Sequence, residues 1–260
     1  MRRKTKPILL VVEPDEHYIS DVARVAVRKG LVSNFIAVKR ADFANVLDKQ
    51  DKSNLIIAKG MLETADFLRL ILRYNDRELL TRDGFLSHCS ILMRHGRHPF
   101  ILTDGAANIK PDVKRKFKIV KNAINFARKM FGIKRPILSI LTPSGKLNPG
   151  IQSSVDGDII IKKLLDEGEN VEARLDQFDT ATSVKSRKVK KIPGKKMADI
   201  LLAHDLDSAN IIWKVYMTSL KCNIIGIVCG TTVPIALSSR ADTEKSKLLS
   251  IKYAIKLLRT

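Results

Sequence analysis

Short apolar runs alternate with amphipathic stretches along the chain, a pattern that predicts α/β layering in which helices cover a largely parallel sheet. Residues 7–12 (PILLVV) read as the first strand, and residues 16–29 as a helix with Ile19, Val22, Ala23 and Ala26 on one face. Strands follow at 35–38 and 54–58, then a helix at 64–74. Residues 84–93 and 99–102 read as two strands joined through the turn-prone HGRH, an antiparallel pair within the sheet system. From 112 to 130, Val113, Phe117, Val120, Ile124 and Ala127 recur at spacings of three and four. This is the clearest helix in the sequence, with a lysine- and arginine-rich outer face.

The second half continues the alternation: a strand at 136–141, a turn-rich loop at 143–150, a helix at 159–167 and a short strand before Asp176. The basic run 185–196, broken by Pro193 and Gly194, reads as an exposed helix end and loop rather than core. Residues 198–203 then form a buried strand, 207–220 a helix, 223–229 and 234–237 two more strands. A closing helix at 242–258 carries Leu248, Ile251, Ile255 and Leu258 as one stripe.

Composition adds bounds rather than a function. With 260 residues, 45% of them hydrophobic, the chain can bury a full core, and no apolar run reaches the roughly 18 to 20 residues of a membrane span. The basic start MRRKTK leads into a short apolar run that meets Glu13 and Asp15, so no signal peptide is expected and the cytoplasm is. Cys89, Cys222 and Cys229 lack CxxC spacing and fall in strand-like runs, which predicts reduced, buried thiols. The five histidines lack ligand spacing, so no metal site is expected. The net charge of +20 admits nucleic acid, an acidic membrane surface or a polyanionic small ligand. Aromatic residues are only 5%, without a stacking platform or a basic zipper helix, so the usual partners of a nucleic-acid charge patch are missing.

Candidate chemistry concentrates in LSSRADTEKSK, residues 237–247. Ser239 and Arg240 stand at the carboxyl end of a strand just before a helix, where open α/β sheets bind ligands and a helix N-terminus offers N–H groups to phosphate. Arg240 adds a fork for the same anion. The competing reading makes Asp242 an N-cap, Arg240 a surface charge and Ser239 a turn residue.

Context moves the balance. The segment from ADILLAHDLDSAN through GTTVPIALSSRADTEKSKLLSI resembles the C-terminal region of the phosphate acetyl/butyryl transferase family. KGMLETADFLRLIL, with Lys59, Gly60 and Thr64, resembles that family's Lys-Gly motif and the helix after it. FLSHCSILMRHGRHPFILTDGAANIKPD resembles its Leu-Ser-His strand and Thr-Asp-x-Ala-x-Asn-x-x-Pro-Asp segment, here Thr103, Asp104, Asn108 and Asp112. The resemblance covers most of 54–258, weakens between 143 and 197, and is closer to the butyryl branch.

The resemblance implies an isocitrate/isopropylmalate dehydrogenase-like α/β fold: a single 1–260 unit with subdomains at about 1–105 plus 240–260 and 106–239, around a cleft. It implies transfer of an acyl group between coenzyme A and phosphate, with acetyl or butyryl as the acyl group. Coenzyme A and phosphate are then substrates, no cofactor is permanently bound, and a homodimer is expected. Ser239 and Arg240 take the catalytic positions. Lys59, Gly60, Thr103, Asp104, Asn108, Asp179, Asn210, Lys214, Gly230, Asp242 and Ser246 take the substrate-binding ones. A thiolate attacking an acyl phosphate builds negative charge on the carbonyl oxygen as phosphate departs, so an aimed hydroxyl and a fixed cation favour the transition state.

Several positions depart from the family pattern. Ser246 stands where the acetyl branch has a carboxylate that serves as base, as in butyryl-type members, which leaves the base unassigned, with Asp242 and Glu244 as candidates by proximity. The family's Asp-Gly-Pro-Leu motif appears here as Ala173-Arg174-Leu175-Asp176, and Ala209 replaces the glycine usual before Asn210. A catalytically silent member that keeps a coenzyme A or phosphate pocket, and a basic nucleic-acid-binding protein, are the alternative readings.

Overall fold

The structure is a computed structural model that describes residues 5–15, 18–74, 79–93, 99–193 and 196–260. Its strands are β1 (Ile8–Val12), β2 (Asn34–Val38), β3 (Leu55–Lys59), β4 (Ser87–Met93), β5 (Phe100–Thr103), β6 (Ile137–Leu141), β7 (Glu172–Asp176), β8 (Ile200–Leu202), β9 (Asn223–Cys229) and β10 (Ile235–Ala236). Its helices are α1 (Ser20–Arg28), α2 (Phe43–Asp48), α3 (Thr64–Arg73), α4 (Val113–Phe131), α5 (Gln152–Asp166), α6 (Phe178–Thr182), α7 (Val184–Val189), α8 (Leu206–Thr218) and α9 (Glu244–Leu258). The turn expected at 95–98 and the helix start expected at 16 lie outside the described residues.

The chain divides into two compact units, Met1–His88 with Lys221–Thr260, and Cys89–Leu220. In the first, the strand order is β2-β1-β3-β10-β9. β1 pairs in parallel with β2 and β3, β10 runs parallel to β3 through Ile235↔Ile57 and Ala236↔Ala58, and the β10–β9 pairing is antiparallel. All five residues of β3 are buried, the continuous burial expected of a parallel strand covered on both faces. In the second unit the order is β4-β5-β8-β6-β7, with β4–β5 antiparallel as the sequence predicts and the other pairings parallel.

α4 follows its predicted periodicity, whereas the buried stripe of α9 runs through Ser246, Lys247, Ser250, Ile251, Ala254 and Ile255 and leaves the predicted Leu248 and Leu258 part-exposed. α4 begins after Asp112, whose side chain accepts the Arg115 N–H at 2.7 Å, and ends at Gly132 in the left-handed region at φ 68°. α5 starts seven residues earlier than the predicted 159, because its first half contains two serines and Gly157, poor helix signals with a tertiary cause. A Cβ on Gly157 would lie 2.5 Å from Leu175 Cδ2 and 3.0 Å from Ile140 Cγ2, so only glycine lets the helix lie this close to β6 and β7.

Other differences are physical as well. α2 fills the 38–54 stretch, where no element is predicted, because its six residues offer only Phe43 and Leu47 as buried apolar positions. The basic run is not simply an exposed loop: it opens in α7, where Arg187 is 3% exposed and anchored to Asp176. Cys222 lies outside β9 and is only partly buried, unlike Cys89 and Cys229, and none of the three is in a disulfide. Among the described residues no helix is long and apolar enough to cross a membrane.

Candidate functional site

In the first unit the carboxyl ends of β3 and β10 lie side by side, and of the sequence-predicted residues Lys59, Gly60, Ser239, Arg240 and Asp242 lie there, whereas Gly230 is at the opposite end of the antiparallel β9. Ser239 and Asp242 clasp the turn: the Ser239 N–H donates to Asp242 Oδ2 at 2.7 Å, and the Asp242 N–H donates to the Ser239 carbonyl at 3.1 Å. Asp242 is therefore the turn's clasp rather than the N-cap. Thr243 caps α9, its Oγ1 accepting the Ser246 N–H at 3.2 Å. Arg240 is exposed and its guanidinium pairs with the Glu63 carboxylate. That bond is the first cause holding the Arg240 proton more tightly than usual.

Lys59 closes β3 and is 3% exposed, its Nζ donating to the carbonyls of Gly60 at 3.1 Å and Leu62 at 3.0 Å. Burial, then the charge of Arg240, brings its pKa down to about 8. Gly60 has a packing reason: a Cβ there would sit 2.0 Å from the Glu13 carbonyl oxygen. Gly230 follows β9, its carbonyl accepting the Thr81 N–H at 3.0 Å. Ser246 is buried in the seam of α9 and β9, its Oγ accepting the Ile224 N–H at 3.2 Å.

Two residues at this end escaped the sequence reading. Lys247, 5% exposed, places its Nζ 3.6 Å from the centre of the Tyr18 ring, a cation–π contact. The Tyr18 hydroxyl is buried without a hydrogen-bond partner among the described residues, and its pKa is raised, first by burial and then by Asp242. A cation on the buried stripe of α9, four residues before Ile251, was the available signal for Lys247.

In the second unit Asp104 organises the loop after β5. Its carboxylate accepts the N–H of Ala106 at 3.0 Å, that of Ala107 at 2.9 Å and the Asn108 side-chain amide at 2.6 Å. Asn210, early in α8, reaches the Gly105 carbonyl at 3.5 Å, so Thr103, Asp104, Asn108 and Asn210 share the end of β5. Lys214 lies further along α8, its Nζ 4.5 Å over the ring of its neighbour Trp213. Asp179 is tied to Lys190 at 2.9 Å, and that hydrogen bond holds its carboxyl below the usual range.

Two ion networks in this unit were also missed. Asp176, at the end of β7, accepts from Ser139 Oγ at 2.6 Å, Arg174 Nε at 2.5 Å, and Arg187 and Thr180 at 3.1 Å. Arg174 and Arg187 go on to the carbonyls of Lys196 and Pro193 at 3.1 and 2.6 Å, so the altered motif 173–176 anchors the basic segment after it. Lys116, buried on α4, pairs with Asp156 at 2.6 Å and meets His204 Nδ1 at 2.8 Å. Burial raises the Asp156 pKa, and the bonds from Lys116 and Gln152 together with the charges of Lys116 and His204 carry it below the usual range, while burial and then Lys116 keep the His204 imidazole below its usual pKa. Lys116 interrupts the buried apolar stripe of α4, the sequence cue to its network.

An α/β architecture with a serine–arginine turn and a buried lysine at adjoining strand ends defines a phosphate-handling class of protein. The sequence profile described as phosphate acetyl/butaryl transferase matches residues 11–255, and the chain belongs to this family. It is 32% identical over 206 residues to a phosphate butyryltransferase of Clostridium beijerinckii, covering 76% of this chain and 67% of that protein. It is also 32% identical over 204 residues to a phosphate acetyltransferase of Rickettsia typhi, and there the match spans only 58% of the relative's length. The fold superposes on a branched-chain phosphotransacylase from Enterococcus faecalis with a TM-score of 0.82 and 24% identity, covering 96% of this chain and 99% of that one.

Proposed function

We propose that this protein transfers an acyl group between coenzyme A and inorganic phosphate, with acetyl or butyryl as the acyl group. The Ser239–Arg240 turn carries the reading. It sets a hydroxyl and an exposed guanidinium at the end of β10, directly before a fifteen-residue helix whose first N–H groups face the same end. Arg240 binds the phosphate of the acyl phosphate in place of the Glu63 carboxylate. Ser239 donates to the acyl carbonyl oxygen as charge grows there, so both groups act most strongly in the transition state.

Thr103, Asp104, Asn108, Asn210 and Lys214 are assigned to substrate binding and orientation, and neither a metal nor a covalent intermediate is needed. The protein works in the cytoplasm as a homodimer, with coenzyme A and phosphate as exchanging substrates. Thioester formation from coenzyme A with acetyl phosphate, and separately with butyryl phosphate, tests the reading. Turnover with either is expected, and a folded protein that forms neither thioester at saturating coenzyme A refutes it.

A further inference from the structure

We propose that the Lys59 amine takes the thiol proton of coenzyme A during acyl transfer, an assignment that rests on the acyltransferase reading above. The reaction needs such a group, because the thiolate and not the thiol is the nucleophile. Ser246 is committed to the α9–β9 seam through Ile224, and its Oγ lies 3.2 Å from Thr243 Oγ1. Of the nearby carboxylates, Asp242 accepts from the Ser239 N–H, and Glu63, which Arg240 gives up to the phosphate, stands in solvent with its side chain 67% exposed.

Lys59 differs from all of these in what it touches. Its two bonds go to backbone carbonyl oxygens, so no fixed negative charge locks it as an ammonium. A neutral amine has two N–H groups and one lone pair, so both bonds survive loss of the proton. Only the third valence changes, from N–H to lone pair.

The surroundings favour that exchange. Burial and then Arg240 lower the Lys59 pKa, Glu63 and Asp242 oppose them, and Lys247 lowers it further, leaving it about 8. On the β1 side the Glu13 carboxylate accepts the Arg40 N–H. A thiol's ordinary pKa is about 8.5, so the proton moves between nearly matched groups.

The S–H bond breaks and its proton goes to Nζ, while sulfur forms a bond to the acyl carbon. The C–O bond to phosphate breaks, and its electron pair leaves on the phosphate oxygen. The Lys59 ammonium gives its proton to that oxygen, releasing hydrogen phosphate and restoring the amine. In reverse, hydrogen phosphate gives its proton to the amine and the departing thiolate collects it, so both directions begin from free amine.

The test is the pH profile of kcat/KM for acyl-CoA with phosphate, a direction in which no substrate thiol ionises. Wild-type protein is expected to rise between about pH 7 and pH 9 and then level, reporting a base of the free enzyme once kcat/KM is expressed per hydrogen phosphate dianion, so that the ionisation of phosphate itself is removed. Lys59→Arg keeps the cation but offers no lone pair in this range, so kcat/KM at neutral pH should fall about 10²–10⁴-fold and the inflection disappear. Added ethylamine should restore part of the rate to Lys59→Ala. A wild-type profile that is flat over that range overturns the assignment even if no variant folds. So does Lys59→Arg with wild-type kinetics, or Lys59→Ala that folds and is not rescued by amine. Wild-type protein with no turnover in either direction removes the acyltransferase reading itself, a different outcome from an active enzyme indifferent to Lys59.

Discussion

Lys59 and Lys116 are equally buried, each 3% exposed, and each lies near the carboxyl end of a sheet in its own unit, yet their partners differ in kind. Lys116 has the Asp156 carboxylate at 2.6 Å, and Asp156 is itself braced by Gln152 at 2.7 Å. Lys59 has two backbone carbonyls. A buried ammonium with a carboxylate is neutralised in place and belongs to the frame. One that faces only carbonyl dipoles stays in balance between charged and neutral forms and can exchange a proton or attract an anion. The same contrast extends outward, because the second unit buries Asp176 between two arginines, while in the first Arg240 meets its carboxylate at the surface and Lys247 meets the Tyr18 ring. Pairing, more than burial, separates scaffold from chemistry here.

The largest effect that tests this contrast is expected at Asp176. Asp176→Ala leaves Arg187 buried without its counter-charge and should destabilise the protein by about 3–5 kcal/mol in denaturant unfolding. A loss below about 1 kcal/mol would mean that the network does not hold the basic segment. Arg240→Ala is expected to invert the pattern, lowering turnover about 10²–10³-fold while the melting temperature stays at the wild-type value, since its guanidinium and the Glu63 partner are both exposed. Unchanged turnover would place the reacting phosphate elsewhere.

What the sequence shows and hides follows the same division between local and tertiary causes. Strands of the parallel sheet are legible because burial on both faces makes them continuous apolar runs, as in β1 and β3. The Ser239–Arg240 turn is legible because strand, turn and helix are consecutive in the chain. The early half of α5 is hidden because Gly157 is there for the packing of Leu175 and Ile140, and helix propensity alone argues against it. Arg187 reads as one more cation in an exposed basic run, since only the fold brings Asp176 to it. Lys247 is hidden for the same reason: its partner is Tyr18, near the other end of the chain.

Smaller effects test the charge states directly. A lysine whose folded pKa lies below its unfolded value makes the unfolded chain bind more protons in between, so stability should rise as pH increases from about 8 towards 10.5. The full span corresponds to about 3 kcal/mol. The difference in unfolding free energy between wild type and Lys59→Met, followed against pH, should show this rise in the wild type alone. A constant difference would mean that Lys59 keeps one charge state and that the contrast with Lys116 fails.

The smallest effect belongs to the Asp179–Lys190 pair, whose side chains are 46% and 39% exposed. It lies in the same unit as the Asp176 network and has the same chemistry, but water screens it. Asp179→Asn should therefore cost only about 0.2–1 kcal/mol at low ionic strength, and the cost should vanish near 1 M salt, where the Debye length falls to about 3 Å. Its pH dependence has the carboxylate sign: Lys190 lowers the folded pKa, so the stabilisation is present above the unfolded value and is lost as pH falls through the folded one. The loss in Asp176→Ala should persist at the same salt, because that carboxylate and Arg187 are shielded from solvent ions. Equal salt sensitivity in the two variants would show that solvent reaches both pairs, and the distinction between a buried frame and a screened surface would not hold.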